Sequence, residues 1–245
     1  MPLISIKAEQ IFSLFGLEIT NSLILSLVVF LTFLIIAVKY YLDSQKKGKT
    51  TFFYFINFFL RSLHEIFFGV LGDKVEYFYP LLASFFLFIL FQNWFGLLPG
   101  VGSLLIRVQA GGKHMMVPLL RGNDADLNTT LSLAIISVSL IQIFGIKYLG
   151  FRGYFRKFIN FKNPIAFFTG ILEIISEFSK VISFSFRLFG NIFAGEVLLT
   201  IMAFLVPILA SFPFLLLEVF VGFIQALVFS MLTAVFLSVA ISKEH

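Results

Sequence analysis

The amino-acid sequence predicts an all-α integral membrane protein with about five membrane segments, an interfacial amphipathic helix and a long, steeply inclined C-terminal helical hairpin. Three observations predict it. Of the 245 residues, 59% are hydrophobic and 13% charged, whereas a soluble domain carries about twice that charged fraction. Several stretches stay apolar over about 20 residues or more, the length that crosses a bilayer as a helix. The formal charge of +5 gathers in the loops between them, as in membrane proteins whose basic loops stay on the cytoplasmic side.

The same composition narrows the chemistry. There is no Cys, which excludes disulfides and thiolate metal sites. His64, His114 and His245 are too scattered to suggest a metal site. The "GKT" at 48–50 has Asp43 where a phosphate loop requires its first Gly, so no nucleotide site is visible. No cofactor is expected, and the basic charge points to membrane topology, not nucleic acid.

The elements follow in order within one membrane domain, 1–245. Residues 1–18 form an N-terminal segment without a signal-peptide pattern. Residues 19–40 form the first span, followed by the basic loop "DSQKKGKT". Residues 52–70 place Asn57, Arg61, His64 and Glu65 along one narrow helical face, so this helix lies in the interface or packs against others. Residues 77–98 form the second span, with Trp94 near its end at the expected headgroup level. Residues 100–126 read as a polar, Gly-rich loop, and 127–146 as the third span. The basic loop "KYLGFRGYFRKFINFKNP" precedes two long apolar segments, 165–206 and 212–241.

Lys39, Lys46, Lys47 and Lys49 follow the first span, and Lys147, Arg152, Arg156, Lys157 and Lys162 follow the third. The positive-inside rule therefore puts the N-terminus outside and the C-terminus in the cytoplasm. A helix of roughly 40 residues reaches about 60 Å, twice the hydrocarbon thickness. The last two segments are thus expected to form an inclined hairpin, bent at Pro207 and Pro213.

The polar residues of this hairpin form a pattern. Each helical residue turns by about 100°, so Glu173, Ser176, Lys180, Ser183 and Asn191 fall within about 40° of Arg187. Gly190 and Ala194 keep that face small, which lets another helix approach closely. Glu196 lies on the opposite face. A hairpin turning near Pro207 brings Gln225 level with Arg187, and Glu218 level with Glu196. Two polar levels result: an Arg–Gln level, and an acidic pair nearer the outer turn. Two carboxyls in a partly dry place cannot easily ionise together and titrate as a unit, which suits a proton relay. Arginine keeps its charge under any physiological condition, so it blocks a proton or pairs with a carboxylate. Taken alone, Arg187 reads equally as a structural ion-pair partner, either Glu as a helix contact, and Glu177 with Lys180 as a simple pair.

At "FRLFGNIFAGEVLL" the chain strongly resembles the a subunit of F-type ATP synthase, the stator channel subunit of the membrane sector. "GFIQALVFSMLTAVFLSVAISKEH", "NWFGLLPG" and "DADLNTTLSLAI" resemble other signature stretches of that family, so the likeness covers nearly the whole chain. The resemblance implies that Arg187 faces a ring of c subunits, opposite a rotor carboxylate, with Gln225 opposite the arginine. It implies that Asn191 and Glu196 are the polar positions that follow. Glu218 stands where some bacterial members have His, a departure that could alter the pH range of the relay. Glu173, Glu177, Ser176 and Ser183 are expected near a cytoplasmic half-channel.

Further implied are peripheral-stalk b subunits, the whole ATP synthase complex as partner, a non-catalytic role, and location in a bacterial plasma membrane. The rival reading is a secondary transporter or self-contained ion channel. Such proteins often carry internal repeats, and none is visible here. A non-conducting scaffold would tolerate loss of Arg187.

Overall fold

The computed structural model of the chain describes residues 8–14, 17–98, 100–101, 104–110, 113–158, 164–206 and 211–242. Its helices are α1 Asn21–Ser44, α2 Thr51–Leu71, α3 Val75–Gly96, α4 Leu127–Leu149, α5 Phe151–Phe158, α6 Pro164–Leu205 and α7 Ser211–Ile241. Five stretches are long and apolar enough to cross a membrane: α1, the run from α2 through α3, α4, α6 and α7. The fold is that of an all-α membrane protein.

Local chemistry starts the helices where they begin. The hydroxyls of Thr20 and Thr50 accept from the N–H groups of Leu23 and Phe53, each at 3.3 Å. The Asp126 carboxylate accepts from Asn128 N–H at 3.1 Å. Each satisfies a donor that the first turn leaves without an intrahelical partner.

The bundle is centred on α3, α4 and α7, with Phe67, Phe78, Leu82, Phe86, Ile89 and Leu237 fully buried. In an apolar solvent, close packing and hydrogen bonds between helices replace the drive to hide oil from water. Ser137 and Thr233 join α4 to α7 at 2.9 Å, and Thr130 and Ser185 join α4 to α6 at 3.3 Å. Asn93 Nδ2 donates to the Gly222 carbonyl at 3.2 Å, and Trp94 Nε1 to that of Val219 at 3.1 Å. The amphipathic α2 folds back along α3. Tyr79 donates to the Leu60 carbonyl at 2.7 Å, and His64 lies 3.1 Å from Glu76. Its Asn57, Arg61 and Glu65 are exposed.

α6 is 42 residues long without a break. It runs antiparallel to α7. Phe184 packs on Phe229 at 5.1 Å between ring centroids, Gly195 abuts Glu218, and Arg187 lines one crevice with Gln225. Each of these pairs is centred close to Val206. Pro207 lies outside the described residues. Pro213 is not a bend: it sits in the first turn of α7, where the missing N–H costs nothing.

The structure differs from the sequence expectation at one end of the bundle. Residues 1–18 and 100–126 read as irregular, yet they carry two antiparallel hairpins. β1 Gln10–Leu14 pairs with β2 Leu17–Thr20, and β3 Leu105–Ala110 with β4 Lys113–Pro118. β1 also touches β3. Together with a 3-10 turn at Asn123–Ala125 they cover the end where α1 and α4 begin and α3 finishes.

Candidate functional site

The site is built in two levels along α6. Phe184 and Leu188 turn inward and are buried, so Ser183, Arg187, Asn191 and Ala194 face outward and are exposed. Arg187 Nη2 donates to Ser183 Oγ, one turn earlier, at 3.2 Å. No carboxylate among the described residues pairs with Arg187. Gln225 reaches the same narrow crevice from α7, between Phe184, Leu188 and Phe229. Gly190 has no atom of another element near it. Around the charge, α6 shows lipid-like surface: Ile175, Phe178, Ile182 and Phe186 are all more than half exposed.

The second level lies inside, toward the capped end. A cavity of about 450 Å³ is lined by Glu196 and Thr200 of α6, Glu218 of α7, Gln92 and Asn93 of α3, and Arg121 of the loop after β4. The acidic pair thus shares one chamber. Glu218 is buried, and its Oε1 has no protein partner; the same holds for Gln92 Oε1 and Asn93 Oδ1. A chamber of this size, lined by such groups, suits ordered water. Gly195 is what lets α7 come so close, since a Cβ there would collide with the Glu218 carboxyl.

Arg121 was not singled out in the sequence. It is 94% buried by side chain, and its Nη2 donates to Glu196 Oε2 at 3.4 Å. A buried guanidinium needs a carboxylate close by, and Glu196 supplies one. The signal was present: a lone Arg in "LLRGNDADLN", just before an apolar span and without an adjacent basic residue. Read as part of a polar loop, it gave no reason to look for a partner 75 residues away.

The loop around it is buried and polar. Asn123 accepts from Thr129 at 2.9 Å, and Asp126 from Ser22 at 3.5 Å. Asp124 is buried with no partner for either carboxylate oxygen, and burial pushes its carboxyl up to about 8. Glu9, ahead of β1, feels burial first, which raises it; Arg121 opposes that and Glu196 adds to it.

Toward the other end of α6 the expected residues separate. Ser176 is exposed, and Glu173 half-buried. Glu177 is tied up: it pairs with Lys180 at 2.7 Å and accepts from Gln142 Nε2 at 2.7 Å. Gln142 in turn accepts from the Tyr154 hydroxyl. Burial, then the charges of Glu177 and Glu173, push Tyr154 up to about 12. No group of three or more His, Cys, Asp or Glu among the described residues has the makings of a metal site.

With this geometry in hand, comparison with known proteins gives one answer. The family model described as ATP synthase A chain matches residues 20–238. A relative in Moorella thermoacetica, named ATP synthase subunit a, is 36% identical over 186 residues, covering 75% of this chain and 72% of its own. One in Syntrophobacter fumaroxidans, with the same name, is 32% identical over 208 residues, covering 83% and 76%. One in Gloeobacter violaceus, again so named, is 38% identical over 166 residues, covering 68% and 61%. A charged α6 face, an acidic chamber and a match over nearly the whole length belong together: the chain is a member of the ATP synthase A chain family.

Proposed function

We propose that this membrane-sector subunit carries protons between the two sides of the bilayer by way of a rotating ring of partner subunits. Each ring subunit bears one carboxyl. The observation that carries this reading is Arg187: a permanent charge, exposed on an otherwise oily membrane-length helix, with no carboxylate partner among the described residues.

An arginine at a membrane helix centre costs about 2.5–3.5 kcal/mol on insertion scales. A carboxylate on a neighbouring subunit offsets that cost. A rotor carboxyl can face lipid only when protonated, because the ionised form is too costly there. Protons from the outer side enter the chamber of Glu196 and Glu218 and load a rotor carboxylate. The ring turns, and the proton leaves through a second half-channel on the cytoplasmic side, near Ser176, Ser183 and Glu173. Arg187 stabilises the carboxylate while it is ionised. Because a guanidinium does not give up its proton, it also keeps the two half-channels apart. Gln225 and Asn191 complete the polar surface that the rotor carboxyl crosses. Coupled to the catalytic sector, this flow drives ATP synthesis, with b subunits holding the stator.

The test is the double variant Glu196→Gln, Glu218→Gln in the assembled complex. It keeps the shape of both side chains and removes both acids. Proton-driven ATP synthesis is expected to fall steeply while the complex still forms. Unchanged coupled transport would sink the relay.

A further inference from the structure

Glu9, ahead of β1, is an acidic group on which the charges of Arg121 and Glu196 act. It is clamped there. Its N–H donates to Asn21 Oδ1 at 3.2 Å, its carbonyl accepts from Asn21 N–H at 3.1 Å, and its carboxylate accepts from Asn21 Nδ2 at 3.4 Å. Asn21 is fully buried, and its Nδ2 also reaches the Pro118 carbonyl at 3.2 Å. Pro118 and Arg121 both line the chamber. Three hydrogen bonds to one buried side chain and its backbone hold a half-buried carboxylate beside the chamber wall. That is a costly arrangement for an N-terminal segment with no role beyond covering the bundle, because the residues must be ordered to make it.

The charge balance says what the carboxylate is for. Arg121 pairs with Glu196, and the charges of both act on Glu9. Among the described residues, the charges that act on Glu9 are the positive Arg121 and the negative Glu196, and a guanidinium has donors enough for both carboxylates. With both carboxylates ionised beside one guanidinium, a proton on either of them relieves the excess negative charge. Arg121 cannot carry that proton. The carboxylates can. Of the ionisable side chains described on the adjoining strands, Glu18 of β2 and Arg107 of β3 are exposed.

We propose that Glu9 is the outermost proton-carrying carboxyl of this subunit, taking protons from the outer water and passing them to Glu196 beside Arg121. This rests on the outer-chamber reading above. The step is a simple exchange: an O–H bond of a hydronium ion in the outer water breaks, leaving water, as an O–H bond forms on Glu9. That bond then breaks as an O–H forms on Glu196, and Glu9 returns to carboxylate. The N-terminal hairpin becomes part of the proton path, and α1 its anchor through Asn21.

The experiment uses the assembled complex in liposomes at fixed voltage, with the pH of the outer-side compartment varied. Glu9→Gln keeps the shape and the acceptor for Asn21. Synthesis is expected to fall about tenfold near pH 8, where protons are scarce and a collecting group matters most, and to match wild type near pH 6. Glu9→Asp is expected to restore most of the alkaline rate. A wild-type pH profile for Glu9→Gln would overturn the proposal, as would an equal loss at every pH, which marks a structural role. The Glu196→Gln, Glu218→Gln variant separates the two readings. If it is silent, the chamber reading itself fails; if it is impaired and Glu9→Gln is silent, only the role of Glu9 falls.

Discussion

Gly195 on α6 and the carboxyl of Glu218 on α7 are packed so closely that any Cβ at residue 195 would overlap the carboxyl carbon and both its oxygens. The obstacle is the end of a side chain, not backbone, so Glu218 can swing aside. Gly195→Ala is therefore expected to fold and assemble, at a cost of about 1–3 kcal/mol, but with Glu218 displaced from the chamber. Proton-driven ATP synthesis at equal assembly checks this. Normal synthesis would show that the position of Glu218 is immaterial.

The Arg121–Glu196 pair makes a stability prediction. Arg121 is buried, while Glu196 keeps 39% of its side-chain surface. Arg121→Gln leaves a carboxylate that can partly rehydrate, so the expected loss is about 2 kcal/mol, below the range for a fully buried pair. Thermal unfolding of the purified subunit in detergent measures it. No change in midpoint would mean that the pair contributes nothing.

Asp124 makes a pH prediction. Its folded-state value of about 8 lies above the ordinary aspartate value of 3.8, because burial disfavours the ionised form. The folded protein therefore holds a proton that the unfolded chain has released, and stability falls as pH rises from about 4 to about 8. Asp124→Asn removes that loss. Its unfolding midpoint is expected to pull ahead of wild type across this window and to keep a constant lead above it. Parallel pH profiles for the two proteins would contradict the burial of an uncompensated acid.

Gly145 tests the network of Tyr154, Gln142 and Glu177. A Cβ there would stand 2.5 Å from Cε2 and 3.1 Å from Cδ2 of the buried Tyr154 ring. Gly145→Ala is expected to loosen α5 from α4 and to free Gln142 and Glu177. Faster limited proteolysis near residues 151–158 is the readout; an unchanged pattern would show that the ring can shift without cost.

The helical fold was open to a sequence reading because membrane spans announce themselves by length and oil content. The hairpin register was open as well, since four polar residues on two apolar segments share one midpoint. What the sequence hid has a physical reason. Polar residues in a loop look alike whether they face water or a buried chamber, so Arg121, Asp124 and Asp126 read only as part of a polar loop, and the burial of all three was not foreseen. Short strands such as β1 and β3 carry too few residues for their alternation to stand out. Glu177 stood on the expected α6 stretch, but its partners Gln142 and Tyr154 lie on other elements that only folding brings near. Pro213 suggested a bend because a proline inside a helix breaks it, whereas one in the first turn does not.

The central claim is that Arg187 is the charge that couples ring rotation to proton flow. The most direct measurement is ATP-driven acidification of liposomes containing the complex, comparing wild type with Arg187→Ala at equal assembly. The account predicts that the variant assembles and does not pump. An Arg187→Ala complex that pumps like wild type would make the charge structural and contradict the mechanism.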